Sequence, residues 1–152
     1  MKSRSILFCV WRRLELRILF PFLGFRKGTA IFGSHVFNIE IADSPYRRMM
    51  GLSFRKGLDR RNGMLLTYPT SKRHLIWMMN MRFGIDILWL DKNAKVLHVV
   101  QNAPPARSLA KFSIYKPNVR SLYVLELKAG TATEIGAKKG KKFALMCGRR
   151  CL

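Results

Sequence analysis

A chain of 152 residues, 49% apolar and 24% charged, is long enough for one hydrophobic core and too short for two, and its composition excludes a wholly disordered protein. Its 29 Lys and Arg against 8 Asp and Glu give a net charge of +21, which draws polyanions such as nucleic acid or anionic lipid whatever the fold. Three cysteines, Cys9, Cys147 and Cys151, form no disulfide framework and lack the neighbouring Cys or His pair that a zinc site needs.

The positive charge is uneven. Residues 1–35 hold seven basic and one acidic residue, 36–135 hold sixteen and seven, and 136–152 hold six and none. Basic ends on a moderately basic domain fit this pattern better than a single basic recognition helix. The longest uncharged apolar run near the start, Ile18–Phe25, is broken by Pro21 and falls far short of the roughly 20 residues that span a bilayer. Basic residues ahead of an apolar stretch, with Gly28-Thr29-Ala30 behind it, have the outline of an export signal. Glu15, Arg17, Arg26 and Lys27 argue against one. Residues 1–33 are therefore expected to be a basic, partly apolar extension (a leader or a disordered arm), whose removal leaves a folded domain. That domain is placed at 34–147, with 148–152 as a basic tail. A cytoplasmic location ranks ahead of export or peripheral membrane attachment.

From Val36 the pattern has period two: Phe37, Ile39 and Ile41 on one face, Asn38 and Glu40 on the other, a half-buried strand. Ser44-Pro45 reads as a helix start and Gly51 as its stop. "GMLLTYP" (63–69) reads as a short strand closed by Pro69. "HLIWMMNM" and "IDILWLD" read as two strands around Arg82-Phe83-Gly84, the second joined to "VLHVV" in a hairpin through "DKNAK". Residues 102–119, with three prolines, form a long loop of the kind that is more often functional than idle. "RSLYVLEL" is a strand, "GTATEIGAKKG" a short helix or turn, and "KKFALMC" a last strand. Six or seven short, mostly antiparallel strands with two short helices predict a mainly β (α+β) domain, a small barrel or sandwich. The helices are too short for parallel crossovers.

These segments, in this order, resemble the domain of unknown function (DUF) 192 family. The matching stretches are "IEIADSPYRRMMGLSFRKGL" (39–58), "GMLLTYP" (63–69), "IWMMNM" with "IDILWLD" (76–91), "APP" (103–105) and "YVLELKAGTATEIGAKKG" (123–140). The resemblance implies a compact, strand-rich domain and no particular reaction. Gly140-Lys141 departs from the Gly-Asp that relatives carry, so no role for that carboxylate transfers.

Polar residues inside apolar strands mark the candidate site. Asn80 shares a strand face with Ile76 and Met78, Asp86 with Leu88 and Leu90, and Glu126 with Leu122 and Val124. A buried charge without a partner costs several kcal/mol, so each must be paired or lie where sheet meets solvent. One reading is structural: Asp86 accepts backbone N–H groups or pairs with Arg82, and Asn80 caps a turn. The other puts Trp77, Asn80, Asp86 and Glu126 in one pocket for a small ligand or peptide. Met78, Met79 and Met81 are core filling rather than a copper site, and His35, His74 and His98 have no ligand spacing. No catalytic residue, cofactor motif or metal site is identified. A binding or accessory module ranks first. A nucleic-acid-associated basic protein is second, and an enzyme using Asp86 and Glu126 third. Electrostatic association with nucleic acid or an anionic membrane surface follows from the charge alone.

Overall fold

The structure, a computed structural model, describes residues 24–106, 108 and 111–147. Its elements in order are β1 (Arg26–Phe32), β2 (His35–Ala42), α1 (Pro45–Met50), β3 (Asn62–Lys72), β4 (Ile76–Trp77), β5 (Ile85–Leu90), β6 (Val96–Ala103), β7 (Ile114–Tyr115), β8 (Ser121–Lys128), α2 (Thr131–Glu134) and β9 (Ala144–Met146). Seven strands form one sheet in the order β6-β5-β8-β3-β2-β1-β9, and β4 pairs with β7 alone. The protein is mainly β, as its periodicity predicts. The hydrogen-bonded ladder runs from β6 to β9 without closing, so of the expected barrel or sandwich no closed barrel forms.

Both faces of the sheet are covered. Ile41, Leu65, Leu88, Leu125 and Phe143 pack on one side. Met64, Leu66, Ile87, Trp89 and Val124 pack on the other, beneath Leu52 and Met78. Strands buried on two faces lose the apolar-polar alternation, which is why "IDILWL" reads as a near-continuous apolar run and all six residues are buried.

Local signals are realised where they are strong. Ser44 caps α1 by accepting from the Arg47 amide at 3.2 Å, and Gly51 ends the helix at φ +48°. The β5–β6 turn is held by the Asp91 carboxylate, which accepts from the amides of Asn93 (2.8 Å) and Lys95 (2.9 Å).

Four expectations are corrected. Residues 26–32 belong to the sheet, not to an extension: β1 lies between β2 and β9, and Ala30 is fully buried. The small residues at 28–30 answer to that packing, since a side chain at Gly28 would meet the Met146 carbonyl at 2.8 Å. β3 runs through Pro69 because its ladder to β8 breaks between Thr67 and Lys72, where the missing N–H leaves no bond unmade. "HLIWMMNM" yields only the two-residue β4, and Asn80 takes a left-handed φ of +60°. β2 and β3 are parallel, joined through a connection of α1 followed by irregular chain. A short helix suffices because the remaining length of 43–61 completes the crossover.

Candidate functional site

The crossover lies over the sheet face that carries Glu126. On β8, Glu126 is flanked by Met64 of β3 and Ile87 of β5, so its carboxylate has an apolar neighbour on either side. It is 5% exposed and lines a cavity of about 160 Å³ with Arg48, Met50, Tyr68, Trp77 and Met81 among the walls. Among the described residues no hydrogen bond or ion pair reaches it. Burial pushes its carboxyl up to about 7, against the pull of the positive charge on Arg55.

The cations nearby are committed elsewhere. Arg48 donates to the Thr67 carbonyl at 2.8 Å and lies over the Tyr68 ring, 4.9 Å from its centroid. Arg55 pairs with Glu40, which also accepts from Lys27 at 3.0 Å, and covers the ring of Phe25. Burial works to raise the Glu40 carboxyl, but the hydrogen bonds from Arg55 and Lys27 hold it below the usual carboxylate range. Burial and the charge of Glu126 push the Tyr68 phenol up to about 12, so it stays a hydrogen-bond donor at neutral pH. His74 stacks on Tyr68, with ring centroids 3.4 Å apart, and burial lowers its pKa.

The loop after α1 separates this cavity from a second one of about 300 Å³, lined by Phe25, Tyr46, Arg47 and Glu40 and sharing Met50, Gly51 and Ser53 with the first. Gly51 passes so close to the acid that a side-chain carbon there would lie 4.0 Å from Glu126 Oε2. Ser53 Oγ donates to the Met79 carbonyl and the Phe54 amide to the Asn80 carbonyl, each at 3.0 Å. These bonds pin the loop across the cavity.

Trp77 and Glu126 therefore share one cavity, and the other two sequence candidates lie elsewhere. Asn80 is half-buried and anchors the loop through its backbone. Asp86 is fully buried. Its Oδ1 accepts from the amides of Asn102 (2.8 Å) and Gly130 (3.2 Å), and its Oδ2 from Ala132 (2.7 Å). It joins the end of β6 to the start of α2, whose cap residue Gly130 has no side chain to do so. Acid–base work by Asp86 and Glu126 together is ruled out by register, since they face opposite sides of the sheet. Sequence reasoning missed Arg48 and Tyr68. Tyr68 continues the Met64 and Leu66 face of β3, a parity readable from sequence, whereas nothing distinguished Arg48 among its basic neighbours.

Met78 and Met81 are buried in the core, as expected of filling residues, whereas Met79 is half-buried and outside both core clusters. No cluster of three His, Cys, Asp or Glu able to hold a metal occurs among the described residues, and none of their helices is long and apolar enough to cross a membrane.

Known proteins resemble this chain in sequence and shape. A UPF0127 protein of Pyrococcus horikoshii is 29% identical over 109 residues, spanning 68% of this chain and 84% of its own length. A UPF0127 protein of Thermococcus kodakarensis is 25% identical over 114 residues, spanning 75% of this chain and 66% of its own. Among solved structures, a Sinorhizobium meliloti protein proposed as a transcription regulator superposes with a TM-score of 0.73 at 27% identity, covering 80% of this chain and 95% of that one. A protein of unknown function from Novosphingobium aromaticivorans gives 0.68 at 28% identity, covering 78% and 83%. The DUF192 profile, described as an uncharacterized ACR, matches residues 28–145, and the chain belongs to that family.

Proposed function

We propose that this protein is a binding module that takes a small ligand at Glu126. One observation carries the reading: a carboxyl that is 5% exposed, has no partner among the described residues and faces a cavity. An unmet buried acid is costly to keep, and a ligand that bonds to it offsets that cost. At about 160 Å³ the cavity is near the roughly 150 Å³ that admits a single benzene ring, so the occupant is of fragment size. Trp77, Met50 and Met81 supply apolar walls. Glu126 supplies the polar contact that fixes orientation. With its carboxyl near 7, it accepts from an amine, amidine or amide and, when protonated, donates to a carbonyl.

The test is ligand-observed NMR with a panel of small amines, amidines, carboxamides and phenols against the wild type and Glu126→Leu. Binders that compete with one another and lose about tenfold or more in affinity in the variant support the reading. A panel with no wild-type binder, or binders indifferent to Glu126, overturns it.

A second reading is supported by the net charge of +21 and by the description of the Sinorhizobium meliloti neighbour: association with nucleic acid. Affinity for nucleic acid that survives physiological salt is its expected signature, and collapse there for every polyanion tried rules it out.

A further inference from the structure

Lysines remote in sequence meet at one end of the sheet. Lys92 and Lys95 lie in the turn between β5 and β6. Lys138, Lys139, Lys141 and Lys142 lie in the segment leading to β9. The two segments are joined by backbone hydrogen bonds: the Val96 amide to the Lys141 carbonyl (2.8 Å), the Gly140 amide to the Val96 carbonyl (2.8 Å) and the Phe143 amide to the Ala94 carbonyl (3.0 Å). Lys95 and Lys142 face each other across an antiparallel bridge.

All six lysines are exposed, and among the described residues no ion pair reaches any of them. The neighbouring carboxylate, Asp91, is turned to the backbone amides of its own turn. Like charges directly opposite in a ladder repel, and among the described residues no carboxylate pairs with Lys95 or Lys142 to offset that repulsion. A row of phosphates would.

The geometry points to this lysine platform as a surface that binds the phosphate backbone of a nucleic-acid duplex. The inference rests on the second reading above and adds the surface and the form of the partner. None of the exposed large apolar side chains lies in either lysine segment. The two segments therefore offer no exposed aromatic ring on which an unpaired base could stack and no exposed apolar wedge to enter a membrane; beside them Phe32 packs, half-buried, on the buried ring of Phe143. The platform offers point charges alone, which suit closely spaced phosphates and carry no base sequence information.

The experiment measures binding of the full chain to a labelled DNA duplex, to a single strand of the same length and to phosphatidylserine vesicles, over one salt series. It compares the wild type with a variant carrying Lys138→Gln, Lys139→Gln, Lys141→Gln and Lys142→Gln. A control carrying Lys56→Gln, Lys72→Gln, Lys111→Gln and Lys116→Gln removes the same charge from exposed sites elsewhere. Thermal melting verifies that both variants fold. The expected result is duplex affinity above that for the other two probes, falling about tenfold or more in the platform variant, with a salt slope smaller by about three to four. The control should lose markedly less. Equal losses in both variants overturn the platform while leaving the nucleic-acid reading standing. Tighter binding to vesicles or single strands overturns the choice of partner, and no duplex binding at physiological salt removes both.

Discussion

Glu126 sits opposite Ile87, the residue next to Asp86, yet the two carboxylates face opposite sides of the sheet. That single step of register separates two fates. Asp86 spends its oxygens on three backbone amides, while Glu126 meets no donor among the described residues and looks into a cavity. One acid ties β6 to α2; the other lines a cavity.

Glu126 leaves a signature in stability against pH. Burial raises the folded pKa of Glu126 to about 7, above the ordinary glutamate value of 4.5. Its stabilising contribution is then complete below about 4.5 and disappears as pH rises through about 7. The span corresponds to roughly 3 kcal/mol, so wild-type melting should fall by about 6–12 °C relative to Glu126→Gln between pH 5 and 8. Melting curves of both proteins across that range check it. Glu40 and Asp43, whose carboxyls lie below their ordinary values through their arginine and lysine partners, act in the opposite sense and lose stability only on acidification.

Asp86→Ala should be among the most damaging single changes. It strands three N–H groups at once, that of Ala132 buried and those of Asn102 and Gly130 partly so, and at about 1–3 kcal/mol for a buried donor and less for the others the loss is about 3 kcal/mol. Asp86→Asn keeps one acceptor but turns an amide toward a donor, so it should fall between Ala and wild type. Denaturant unfolding measures both. A loss below about 1 kcal/mol for Asp86→Ala would contradict the assigned role.

Strand β1 sets where the domain can be cut. A chain beginning at Gly24 keeps β1 between β2 and β9. One beginning at Ser34 removes it, uncovers β2 and leaves β9 without its ladder. Limited proteolysis and far-UV circular dichroism should find the first folded and the second unfolded or aggregated.

Phe54 holds φ +65° with its side chain exposed, an unfavourable conformation for a bulky residue and an ordinary one for glycine. Phe54→Gly should therefore cost nothing or stabilise by up to about 1 kcal/mol, whereas Phe54→Val should destabilise by about 1–2 kcal/mol. Unfolding midpoints of the two variants decide it.

How much was legible in the sequence follows from how local each feature is. The alternation of Phe37, Ile39 and Ile41, the Ser44-Pro45 start of α1 and the Asp91 turn are settled within a few residues, and each appears where the pattern puts it. β1 was hidden because Arg26-Lys27-Gly28-Thr29-Ala30 has no alternation; it is a strand because neighbours pair on both sides. The parallel β2–β3 pairing was missed because its crossover is mostly irregular chain. Asp86 and Glu126 stand out as isolated acids in apolar strands. Which face each takes depends on the register between β5 and β8, a relationship across forty residues of chain.

The titration of Glu126 itself is the measurement to make. With side-chain carboxyl carbons labelled and assigned through Glu126→Gln, NMR follows its resonance across pH. A midpoint near 7 is the expected result for a buried acid without a partner. A midpoint near the ordinary glutamate value of 4.5 would mean that the carboxylate is solvated or already paired, and would remove the basis for a ligand there.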